Sequence, residues 1–150
     1  MPENNIRTEI KNILLGVTGI GKVYDIQKNI FSESDIKTDF VVDNKINVFF
    51  IGNNSSVEEM LVLGSGVTGR QSVVHTFILE GYYGIKEVGN SHITFSTLVT
   101  NIALAFRNNL TLNNTCFIHR YIEVREHNQE MFCNILCHHT ELVLRVEERI

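Results

Sequence analysis

From Arg70 to Gly84 the chain alternates in a way that predicts an extended segment. Val73, His75, Phe77 and Leu79 share one phase, and Val74, Ile78 and Tyr82 share the other. Side chains on a strand alternate between faces, so both faces of this strand are largely apolar. Such a strand belongs in the middle of a sheet rather than at its edge. After Gly84 the repeat lengthens to that of a helix: Phe95, Leu98, Val99, Ile102 and Phe106 fall on one face, with Ser96, Thr100, Arg107 and Asn108 opposite. This predicts a helix over 92–109 with Ser91 as its N-cap. Ile6, Ile10, Ile13 and Leu14 repeat in the same way, predicting an amphipathic helix over 5–15, begun by Asn4 or Asn5 and ended at Gly16.

The remaining pattern supplies shorter strands. Lys22 to Ile26 reads as a short extended piece, Ile46 to Ile51 as a buried strand closed by GNNSS, and Glu59 to Leu63 as a second strand. A glycine-rich turn, Gly64 to Gly69, then leads into the long strand, giving an antiparallel meander. Gln27 to Lys45 supports two readings. Ser34 caps a short helix presenting Ile36 and Phe40, or FVVDNKINV forms a hairpin turning at Asp43 and Asn44. TLNNT at 111–115 is a turn, after which Cys116 to Arg125 and Glu130 to Glu147 read as strands around the polar turn Glu126 to Gln129. In the last strand the apolar phase is Cys133, Ile135, Cys137 at first and Leu142, Leu144, Val146 afterwards. A slip of one residue is what a β-bulge produces, so a bulge is expected near His138 to Thr140. The sum is a single α+β domain over residues 1–150: an antiparallel or mixed β-sheet with two main α-helices packed on one face.

Composition narrows the class. A hydrophobic fraction of 43% with 20% charged residues is that of an ordinary globular chain. The formal net charge of -4 argues against a dedicated binder of DNA or of an anionic membrane surface, which carries a basic excess. The opening residues MPENNIRTEI lack a charged-then-apolar leader pattern, and no apolar run approaches the roughly 20 residues a bilayer needs. A cytoplasmic protein is expected. Cys116, Cys133 and Cys137 have no framework spacing, which suits reduced thiols.

Five patterns invite a chemical reading. Gly16 to Val23, GVTGIGKV, meets the glycine and lysine positions of a phosphate-binding loop, but Val23 replaces the metal-binding hydroxyl and a helical pattern precedes it. A helix-to-strand turn explains its glycines better. Gly64, Gly66 and Gly69 match a dinucleotide fingerprint that must open a helix, yet a strand follows. Cys133, Cys137 and His139 would share a strand face without a bulge, but their spacing matches no usual zinc pair, so they read as buried small hydrophobes and a turned-away imidazole. His75 reads as a hydrogen-bonded core histidine, and Glu147 with Glu148 as a solvated charge pair. No catalytic residue, cofactor-binding residue or metal ligand is assigned from sequence.

Three strings carry a resemblance: HTFILEGYYG at 75–84, AFRNNLTLNNT at 105–115 and MFCNILCHHTELVLRVEE at 131–148, with IKNILLGVTGIGKVYD at the start fitting the same pattern. Together they resemble tail terminator, or tail-completion, proteins of tailed bacteriophages and prophages. The resemblance implies helices against a mixed sheet and a homo-oligomeric, commonly hexameric, ring. That ring caps the tail tube, ends its polymerisation and offers the head-tail joining surface to connector or neck proteins, while DNA passes through the lumen without specific binding. The implied location is the virion tail or neck, assembled in the host cytoplasm, with no enzyme activity, cofactor or membrane partner. A head-completion or neck connector protein is the nearest alternative, and a small nucleotide-binding enzyme using Lys22 the other. Subunit or tube contacts are expected in Gln27 to Lys45 and in the turn Gly64 to Arg70.

Overall fold

The structure, a computed structural model, describes residues 2–24, 41–42, 45–60, 71–85, 91–114, 116, 118–132 and 135–149. Helix α1 (Pro2–Leu15) leads to the short strand β1 (Lys22–Tyr24). Strands β2 (Val41–Val42), β3 (Lys45–Met60) and β4 (Gln71–Gly84) follow, then helix α2 (Ser91–Arg107) and the strands β5 (Ile118–Phe132) and β6 (Ile135–Arg149). The strands form one sheet in the order β1-β3-β4-β6-β5, with β2 beside β3. β1 runs parallel to β3 and every other pair is antiparallel, so the sheet is mixed. The expected α+β class holds, and the long strand lies at the centre as its two apolar faces require.

The two described helices cover one face of the sheet. Ile6, Ile10 and Leu14 of α1 and Phe95, Leu98, Val99, Ile102, Ala103 and Phe106 of α2 are buried together with Phe49, Ile51, Phe77, Leu79, Leu142, Leu144 and Val146. Each large apolar side chain buried in this way contributes about 1.5–3 kcal/mol. The opposite face carries a smaller cluster, in which Ile46, Val48, Phe50, Tyr82, Phe132 and Cys137 pack with Tyr24. Tyr82 stacks on Phe132 with ring centres 4.4 Å apart, and Phe50 meets both rings at 5.9–6.4 Å.

Val41 pairs with Ile46 and Val42 with Lys45, as the hairpin reading of FVVDNKINV requires. Asp43, Asn44, most of Gln27 to Lys45 and the turn Gly64 to Gly69 lie outside the described residues. The sequence expectation fails at three places. GNNSS does not close a strand: β3 continues from Lys45 to Met60, because β4 pairs along its whole length and a bulge between Asn53 and Ser55 absorbs the extra residue. Glu126 to Gln129 is not a turn. It is strand, paired residue by residue with His138 to Glu141, and β5 continues to Phe132 before β6 begins at Ile135. The polar run persists as strand because β5 is, among the described residues, an edge strand bonded by β6 alone, and Glu123 to Met131 are exposed.

The bulge expected near His138 to Thr140 is also absent from β6. That strand keeps an unbroken register with β4 from Ser72–Arg149 to Gly84–Cys137, and the irregularities fall on β5 instead, at Arg120/Glu123 and Val124/Glu126. The apolar phase of β6 changes because the strand serves two cores. Cys137 faces the small cluster, whereas Leu142, Leu144 and Val146 face the helices.

Candidate functional site

On the face away from the helices, the centre and edge of the sheet bring polar side chains together. Glu80 and Tyr82 are two residues apart on β4 and share that face. Tyr82 pairs with His139 of β6, which pairs with Asn128 of β5, and Glu130 lies two residues further along β5 on the same side. Alternation within each strand and register between strands therefore place the group, with no loop involved.

His139 is buried at its centre. Its Nδ1 lies 2.7 Å from the amide oxygen of Asn128, an acceptor, so Nδ1 carries the proton. Nε2 then faces Glu80 Oε1 at 2.9 Å and Glu130 Oε2 at 3.3 Å. Glu126 adds a third carboxylate, 3.8 Å from Nδ1. The Tyr82 hydroxyl lies 2.7 Å from Glu80 Oε1 and 3.1 Å from Glu130 Oε2, one proton serving two acceptors. Burial, then hydrogen bonding and repulsion from Glu80, hold this phenol far above its ordinary range, so it stays a neutral donor. Carboxylates converging on an imidazole nitrogen call for a cation between them.

A second grouping lies on the helix side. The Phe95 ring is stacked between His127 (5.5 Å) and His138 (5.9 Å), while Ser91 Oγ meets His138 Nε2 at 3.0 Å and Ser96 Oγ meets His127 Nε2 at 3.2 Å. Ser91, expected as the N-cap, is instead the first residue of α2, and its hydroxyl meets His138 of β6. Burial first, then the neighbouring His92 and His127, lower the pKa of His138. This arrangement anchors the start of α2 to the β5–β6 hairpin.

The residues singled out in the sequence fare unequally. GVTGIGKV joins α1 to β1, the reverse of the strand–loop–helix order of a phosphate loop, and Lys22 is exposed at the start of β1. Its glycines serve packing. Gly19 has φ 89°, and Gly21 passes so close to β3 that a Cβ would fall 2.1 Å from the Asn47 carbonyl oxygen. Asn47 in turn donates to the Gly19 carbonyl at 3.1 Å. His75 is buried and bonded to Glu148 Oε2 at 3.1 Å, as a core histidine should be. Glu147 and Glu148 are therefore not a solvated pair: they point to opposite faces, Glu147 is buried and Glu148 holds His75. Cys137 is buried in the small apolar cluster. Cys116 is half-buried, its thiol pushed up to about 11 by burial and then by Glu148. Cys133 lies outside the described residues.

Sequence reasoning missed Glu80, Tyr82, Asn128 and Glu130. The available signal was the alternation of Glu126, Asn128 and Glu130, which as a strand shares one face, together with Glu80 as the only acidic residue in the long apolar strand. A scan against models of protein families and a search of curated proteins return no match to this chain.

Proposed function

We propose that this chain is a structural protein of a tailed-bacteriophage virion, a tail terminator whose copies form a ring of six. The ring caps the tail tube, ends its polymerisation and presents the surface to which head-side connector or neck proteins dock. The observation that carries the reading is the open mixed sheet with both helices on one face. Among the described residues β5 is bonded on one side only, while β1 and β2 occupy the other end of the sheet. A closed ring needs two different patches on each subunit, and the unlike ends of such a sheet supply them. The strings that carry the resemblance fall on β4 from His75 onward, on the end of α2 with the turn after it, and on β6 with the last two residues of β5. The net charge of -4 suits a lumen through which DNA slides without being held.

Native mass spectrometry at high protein concentration tests the proposal, with tube protein, magnesium and nucleotide as separate additions. A species near six times the 17.1 kDa chain, formed alone or on tube protein and indifferent to nucleotide, is the expected result. A chain that stays monomeric with tube protein but assembles on a head portal would move it to the neck-connector alternative. Gain of one nucleotide mass, abolished by Lys22→Ala, would overturn both in favour of an enzyme.

A further inference from the structure

We infer that Glu80, Glu130 and His139 bind one divalent transition-metal ion of the zinc class on the sheet face opposite the two described helices. The inference is independent of ring formation and rests on four observations. First, the three donors come from three adjacent strands, β4, β5 and β6, and their ligand atoms lie within 4.8 Å of one another. Residues held by strand register are more rigidly placed than residues on loops. Second, the Asn128 amide oxygen takes the Nδ1 proton of His139 at 2.7 Å, which turns Nε2 toward the carboxylates. This is the outer contact that metal-ligating histidines characteristically make.

Third, the spacing fits. A metal bonded tetrahedrally at about 2.0–2.2 Å to nitrogen and oxygen holds neighbouring ligand atoms about 3.3–3.6 Å apart. The gaps from Nε2 are 2.9 Å to Glu80 and 3.3 Å to Glu130, so an ion needs only small outward shifts of the carboxylates. Fourth, one imidazole with two carboxylates is a donor set for zinc, manganese or iron rather than for magnesium or calcium, which favour oxygen alone. Tyr82, donating between the two carboxylates, orients them from the remaining side. Glu130 is about half exposed, at 46%, and gives the ion its way in, while His139 at 2% forms the floor.

Zinc is the probe. The full-length chain is stripped with a chelator, dialysed and titrated with zinc chloride by calorimetry, with bound metal counted by plasma mass spectrometry. One zinc per chain at micromolar affinity or tighter is expected, with magnesium binding much weaker. Glu130→Gln should weaken zinc binding at least about 10-fold, as loss of a ligand or its support does. It should leave the circular dichroism spectrum unchanged, because Glu130 is about half exposed on an edge of the described sheet. Glu123→Gln, on the same strand but paired with Arg145, should bind zinc like the parent. His139→Gln should abolish binding; should that variant fail to fold, Glu130→Gln carries the test alone. Absence of saturable uptake, or equal uptake by the parent and Glu130→Gln, would overturn the inference and leave His139 hydrogen-bonded among carboxylates with no metal role.

Discussion

At the scale of single residues, close approach and backbone conformation decide what the chain tolerates. Gly81 lies in the middle of β4 against Phe49 of β3, and a Cβ there would fall 2.4 Å from the Phe49 ring. Gly81→Ala must displace a fully buried ring, so it should cost about 1–3 kcal/mol, the range for overpacked cores. Adding Phe49→Leu to Gly81→Ala should be less damaging than the sum of the two single changes; urea unfolding of the four proteins measures the coupling, and strict additivity would refute the contact. Leu112, Asn113 and Asn114 hold left-handed conformations in succession, with φ of 47°, 56° and 66°. Two of the three are asparagine, the residue after glycine that best accepts this region. Leu112 is there because its side chain is fully buried. Asn113 fixes the turn through Asn109 and reaches Glu9 of α1 at 2.6 Å.

Among the elements, the hold of the β5–β6 hairpin on α2 is titratable. Between the lowered pKa of His138 and the ordinary value near 6.5, the unfolded chain takes up a proton that the folded chain resists. The stability contributed by this group is complete above about pH 6.5 and declines as pH falls through the lowered value. The groups facing His138 are Ser91, His92 and Phe95 of α2 and His127 of β5. Urea midpoints between pH 5 and 7.5 should fall toward acid in the parent and fall less in His138→Gln; identical slopes would remove His138 as the cause. The helices and β4 were legible in the sequence because each carries an apolar repeat that only one conformation uses. β5 was not, since its outward residues and several facing His139 are polar, and a polar run reads as a turn when its one bonded neighbour is unknown. The carboxylate–imidazole group was hidden for a related reason: Glu80, Glu130 and His139 meet through strand register across the sheet, and no linear spacing encodes that.

For the molecule as a whole, the sheet divides into two antiparallel ladders, β3 with β4 and β5 with β6, joined by α2 and sealed along β4 and β6. In the proposed ring, one continuous sheet would connect the two unlike ends of each subunit. The seam also has a kinetic consequence. Each ladder closes between neighbours in the chain, whereas Ser72 must find Arg149 and Gly84 must find Cys137 across α2 and its turn. Distant pairings of this kind incur loop-closure entropy before their contacts form, and they set the pace of folding. Val143, buried on β6 beside Ile78, lies in the seam, and Val124 is exposed on β5. In stopped-flow refolding, Val143→Ala should slow the folding arm while Val124→Ala leaves it unchanged, and an effect of Val143→Ala confined to unfolding would place the seam after the barrier. The strand that organises the finished sheet is thus also the one whose second partner arrives last.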